Sequence, residues 1–175
     1  MCDLCNDPEM TPDAYFQQLR ERLRECRFLV QSVGGSRDSA EFSYTIGLTA
    51  HGLPELIVVG RRPGEATKLL RLWGDYVLDT SLVLPGERLR TGPFALEAVE
   101  VERPEEHLLM ADSLFGPAVR ALQLVWADDR GRWPWDPGHR ARRSGQPVLG
   151  ERAPWYCPEH RPDRLEIPPY LDEAL

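Results

Sequence analysis

The stretch Ala121–Pro137, ALQLVWADDRGRWPWDP, constrains the fold more than any other part of the chain. Leu122, Leu124 and Trp126 alternate with Ala121, Gln123 and Val125. A period of two describes a strand with one strongly apolar face. Asp128-Asp129-Arg130-Gly131 then supplies turn residues, because Asp bonds its own backbone and Gly tolerates positive φ. In Arg132-Trp133-Pro134-Trp135-Asp136-Pro137, neither proline can donate to a strand ladder, and each drives the preceding residue toward extended geometry. Two indoles this close to a turn are costly in water. Two readings stay open: they close the edge of a core, or they line a binding surface.

The segments before this stretch alternate between helix and strand patterns. Thr11-Pro12-Asp13 has the cap, first-turn proline and early acid of a helix start. Phe16, Leu19, Leu23 and Cys26 fall at helical spacing, which places Cys26 in the core and the helix end near Arg27. Phe28–Val33 and Phe42–Leu48 form an antiparallel pair across the Gly34–Ala40 loop. Leu56–Val59 is continuously apolar, as a central strand is. A helix carrying Ala66, Leu69, Leu70, Trp73 and Val77 follows it. Leu82–Glu87 reads as a short edge strand and turn, and Phe94–Val101 as a strand whose alternation slips at Ala98-Val99, as at a bulge. Pro104–Leu114 reads as a helix and Gln146–Leu149 as a last short strand. The expectation is one α+β domain over residues 1–175. Its antiparallel or mixed sheet would have about five to seven strands, with a barrel-like form included, under two or three helices.

The two ends of the chain carry the clearest donor pattern. Cys2 and Cys5 form a Cys-x-x-Cys, and Cys157 and His160 a Cys-x-x-His. Together they supply four ligands, the number that fills a tetrahedral zinc site. With no open position such a zinc is structural, and it would join the two termini of the domain. A redox dithiol at Cys2/Cys5 and unrelated thiols are the alternatives; Pro8 leaves the pair in a loop rather than at the helix start that lowers a thiol pKa.

A net charge of -7 argues against broad nucleic-acid binding. The charge is uneven: Arg130, Arg132, Arg140, Arg142 and Arg143 stand close together against Asp136 alone. That segment either meets an anionic ligand or pairs with acids of the same chain. No apolar run reaches the roughly 20 residues of a membrane span, and MCDLCNDPEM has no signal-peptide character, so a cytoplasmic location is expected.

The motifs YTIGLT (Tyr44–Thr49), PELIVVG (Pro54–Gly60), ALQLVWAD (Ala121–Asp128) and GRWPWDP (Gly131–Pro137) resemble the bacterial family catalogued as domain of unknown function 4262 (DUF4262). The most specific of them is the last, a Gly-Arg-aromatic-Pro-Trp signature. Position 128 departs from the pattern, with Asp where the resemblance leads one to expect proline before the acid. The resemblance implies a single compact domain and transfers no reaction.

The sequence contains no Walker loop, dinucleotide fingerprint, zincin helix or Ser-His-Asp order. The first functional expectation is therefore a binding or interaction module that meets its partner through Arg132, Trp133 and Trp135. The alternative is an enzyme or a flavin- or nucleotide-type cofactor protein acting on an anionic small molecule. There the arginines would hold the anion and an indole would stack on a ring. His51, Glu55 or Asp136 would supply acid–base chemistry.

Overall fold

The computed structural model describes residues 11–36, 39–80, 85–91, 94–139 and 145–153. The first helix, α1, spans Pro12–Glu25. Thr11 Oγ1 accepts the Ala14 N–H at 3.2 Å, Pro12 occupies the first turn, and Asp13 meets the positive helix end. The helix stops because Cys26 is extended, at φ -121° and ψ 145°. That turn takes Cys26 off the buried stripe of Tyr15 and Leu19, so its thiol is exposed and not a core hydrophobe, contrary to its helical spacing.

Strands β1 (Leu29–Val33), β2 (Phe42–Ile46) and β3 (Glu55–Val59) run antiparallel in sequence, with a 3-10 turn, Leu48–His51, between the last two. Helix α2 (Pro63–Thr80) follows, then β4 (Arg88–Thr91) and β5 (Phe94–Glu100). The expected single helix after β5 is two short ones, α3 (Pro104–His107) and α4 (Leu109–Phe115), broken at Leu108. Strand β6 (Ala121–Trp126) then enters the middle of the sheet, parallel to β3 and antiparallel to β5. Among the described residues the order is β1-β2-β3-β6-β5-β4, a mixed six-stranded sheet that is open at β1 and β4 rather than closed into a barrel.

Helix α2 covers one face. Its Ala66, Leu69, Leu70, Trp73 and Val77 pack on Leu56, Val58, Leu96, Ala98, Leu122, Leu124 and Trp126. The other face has two covers. Over β1–β3 lie Tyr15 and Leu19 of α1 with Leu108 and Ala111, against Tyr44, Ile46, Ile57 and Ala121. Over β5 and β6 lie Trp133 and the partly buried Trp135 and Val148, against Val99, Val125 and Ala127. Here a loop replaces a helix, and the GRWPWDP turn is its main part.

Coverage of both faces explains two departures from the sequence pattern. β6 is buried at all six positions, so Ala121, Gln123 and Val125 are as enclosed as the apolar face. The slip at Ala98-Val99 is no bulge: β5 and β6 stay in register from Leu96↔Trp126 to Glu100↔Leu122, and both residues are buried. Gln146–Leu149 is not a strand either. Side-chain amides hold it, with Gln123 Nε2 donating to the Pro147 carbonyl and Gln123 Oε1 accepting the Leu149 N–H, each at 2.8 Å. The expected edge strand at Leu82–Glu87 falls partly outside the described residues, and β4 begins just after it. No helix among the described residues is long and apolar enough to cross a membrane.

Candidate functional site at the Arg-Trp turn

The turn is built by two aspartates. Asp128 Oδ1 accepts the N–H groups of Arg130 and Arg132, both at 2.9 Å. Its Oδ2 receives Nε and Nη2 of Arg132 at 3.0 and 2.8 Å, a two-pronged contact on a carboxylate 6% exposed. The Asp128 N–H in turn donates to the Arg132 carbonyl at 2.7 Å, a bond that the expected proline could not make. Asp136 Oδ2 then accepts the Trp133 N–H, and its own N–H donates to the Trp133 carbonyl, both at 2.9 Å. Arg132 and Asp136 are thus engaged within the loop.

With the loop fixed, the two indoles lie flat on one another, 5.5 Å between ring centres and 6° apart in plane. The Arg88 guanidinium sits 5.1 Å from the Trp133 ring centre and that of Arg152 4.4 Å from the Trp135 ring centre, both within cation–π range. The two arginines share one carboxylate, Glu97 of β5, which is 1% exposed. Arg88 Nε reaches Glu97 Oε2 at 2.9 Å, while Arg152 contacts Oε1 through Nε and Oε2 through Nη2. The hydrogen bond to Glu97 also raises the pKa of Arg152, with burial acting the other way and the charges of Glu97 and Asp136 adding to the rise. The result is a chain of contacts, Arg88–Trp133–Trp135–Arg152, tied at both ends to one buried acid. Trp133 is buried beneath it and Trp135 is half-buried.

A second aromatic–guanidinium contact belongs to the α2 face of the sheet, at the carboxyl ends of the parallel strands β3 and β6. Arg61 lies 4.2 Å from the Trp126 ring centre, and its Nη1 is 3.2 Å from Glu65 Oε2. The Trp126 indole donates to the Val59 carbonyl at 2.9 Å.

The sheet separates the residues that the catalytic alternative needs together. His51 is exposed on the turn that precedes β3, whereas Trp133 and Trp135 follow β6. Because β3 and β6 are parallel, these lie at opposite ends of the strands. Glu55 is fully buried beside the first of those ends and serves the backbone. Its carboxylate accepts from Thr45 Oγ1 at 2.6 Å, Gly47 N at 2.9 Å, Thr49 N at 3.0 Å and Thr49 Oγ1 at 2.9 Å. Burial raises its pKa, and the bonds from Thr45, Thr49 and Gly47 oppose that rise. The motifs YTIGLT and PELIVVG therefore meet in one knot, in which Gly47 adopts φ 125°.

Arg140, Arg142, Arg143 and the four expected metal ligands, Cys2, Cys5, Cys157 and His160, lie outside the described residues. Among the described residues no group of three or more His, Cys, Asp or Glu side chains could hold a metal ion. Sequence reasoning missed Glu97, Arg88 and Arg152. Glu97 had a signal, being an acid set between Leu96 and Ala98 in an apolar strand. The arginines had none, since they are distant in sequence and meet only through Glu97.

The fold and turn together define a class: an α+β protein with a mixed sheet, one face covered partly by helices and partly by a loop, and a stack of indoles and guanidinium groups. The chain belongs to the DUF4262 family, described as "Domain of unknown function (DUF4262)", which matches residues 22–140. No curated protein and no solved structure matches it.

Proposed function

We propose that this protein is a binding module whose Arg-Trp turn receives an anionic partner, either a protein or a small molecule. One observation carries the reading: Trp135 and Arg152 are presented on a support of buried Trp133 and buried Glu97. A surface held this firmly loses little freedom when it binds, which is how a small patch gains affinity. The half-buried indole and the paired guanidinium suit a planar or carboxylate-bearing anion. Arg132 and Trp133 support the surface, and Trp135 with Arg152 meets the partner. Catalysis is the weaker reading because His51 is at the far end of the sheet and Asp136 is engaged in the turn.

The experiment is an NMR titration of the indole N–H signals with citrate, adenosine monophosphate and flavin mononucleotide. The expected result is movement of the Trp135 signal with at least one of them, abolished in Arg152→Ala while the sheet signals stay in place. Movement confined to residues around His51 would overturn the assignment.

Separately, we infer a structural zinc held by Cys2, Cys5, Cys157 and His160. Its support is the donor set, three thiolates and an imidazole in two two-residue-spaced pairs. A cytoplasmic location belongs to the same proposal, since reduced thiols are kept as metal ligands there.

A further inference from the structure

Arg152 has more donor capacity than Glu97 uses. A guanidinium presents two forks in its plane: a side edge of Nε with one Nη, and an end edge of both Nη atoms. The side edge of Arg152 is taken, with Nε on Glu97 Oε1 and Nη2 on Oε2 at 3.1 Å. Nη1 donates to no described residue, and the side chain is 35% exposed. The end edge is thus left for a second acceptor.

The guanidinium is also held in place from its backbone. The Leu149 N–H donates to Gln123 Oε1 at 2.8 Å, and the Leu149 carbonyl accepts the Glu102 N–H at 3.1 Å. Gly150 passes so close to the end of β5 that a Cβ there would collide with the Glu100 carbonyl. Glu97 anchors the far end of the side chain, so the open fork has a fixed direction.

Charge decides which anion suits it. Three arginines, Arg88, Arg132 and Arg152, stand with three acids, Glu97, Asp128 and Asp136. The patch has no excess positive charge to draw a polyanion, and Asp136 acts on Arg152 through its charge. A phosphate dianion would meet Glu97 and Asp136 with twice the repulsion of a carboxylate. A carboxylate offers a planar two-oxygen edge that matches the fork at a single charge. The half-buried Trp135 indole, 4.4 Å from the same guanidinium, offers a flat apolar wall for the rest of the ligand.

We propose that the Arg-Trp turn selects a small aromatic monocarboxylate, received end-on by Nη1 and Nη2 of Arg152 with its ring along Trp135. This rests on the reading of the turn as a binding site and narrows its anion to one class. Arg152 is then the residue that sets specificity, through the shape of its fork as well as its charge.

The test follows the Trp135 indole N–H signal of the full chain during titration with benzoate, benzamide and phenyl phosphate. Benzoate is expected to bind at least about fivefold more tightly than either, because benzamide lacks the charge and phenyl phosphate carries too much. Arg152→Lys keeps the charge but not the fork, and should weaken benzoate by about tenfold or more while the sheet signals stay in place. The comparison of the three ligands on the wild type decides the matter even if that variant is poorly folded. Equal binding of benzamide would overturn the proposal. Tighter binding of phenyl phosphate would overturn the carboxylate assignment and leave the binding reading standing. No movement with benzoate at about 10 mM would also overturn the proposal, and the binding reading falls with it only if citrate, adenosine monophosphate and flavin mononucleotide are silent too.

Discussion

Gln146 places both ends of its side-chain amide on the backbone of Trp126: Oε1 accepts the Trp126 N–H and Nε2 donates to the Trp126 carbonyl, each at 2.8 Å. The parallel ladder between β3 and β6 ends at Ile57↔Gln123, and Gly60, at φ 75°, turns β3 away beneath Gly145. Trp126 would otherwise have two buried backbone groups without partners on that side. The amide takes the place of the missing strand. Gln146→Ala should therefore lower the unfolding free energy by about 2–4 kcal/mol, the cost of two buried polar groups left unmet. Gln146→Glu keeps an acceptor and loses the donor, so it should also be destabilised. Urea unfolding of the three proteins measures this, and an unchanged midpoint for Gln146→Ala would contradict it.

The stacked indoles should separate in mutagenesis. Trp133 is 8% exposed and closes the patch of Val99, Val125 and Ala127, so Trp133→Ala should cost about 3–5 kcal/mol. Trp135 is half-buried and its main contacts are Trp133 and Arg152, so Trp135→Ala should cost about 1–2 kcal/mol. Thermal unfolding gives the order, and equal losses would contradict the assignment of one ring to support and the other to contact.

Glu55 makes stability depend on pH in a defined direction. Burial raises its pKa above the ordinary value of 4.5, so the folded protein holds this proton more tightly than the unfolded chain. Its contribution is fully present below the ordinary value and is lost as pH rises through the raised one. Glu55→Gln removes that loss while keeping an acceptor for the N–H groups of Gly47 and Thr49. The stability difference, variant minus wild type, should therefore increase from pH 5 to pH 8. Urea midpoints across that range provide the measurement, and a flat difference would contradict the raised pKa.

Metal content tests the inferred zinc site. Untagged protein should carry about one zinc per chain, and Cys157→Ser should lose most of it together with thermal stability. Less than about 0.3 zinc per chain in the wild type, with Cys157→Ser equally stable, would remove the site.

Much of the architecture was legible because it depends on neighbours in the chain. The cap at Thr11, the stripe of α2 and the uniformly apolar Leu56–Val59 each follow from local chemistry, and each formed as expected. Cys26 failed the same logic by one residue. A helical period predicts burial only while the helix continues, and α1 ends just before it. At Ala98-Val99 a slipped alternation suggested a bulge, but alternation is needed only where one face meets water.

The GRWPWDP turn shows where local reading ends. Its prolines and aspartates dictate a tight, rigid loop, and its two indoles require a cover or a partner; residue chemistry alone establishes that much. The burial of Trp133 and the half-burial of Trp135 come from β6 entering the middle of the sheet. That insertion brings Glu97 from β5, Arg88 from β4 and Arg152 from the returning chain to the same rings. Contacts across such distances in sequence leave no periodicity to read, because they depend on strand order rather than spacing. The same strand order puts His51 at the opposite end of the parallel pair from the Arg-Trp turn.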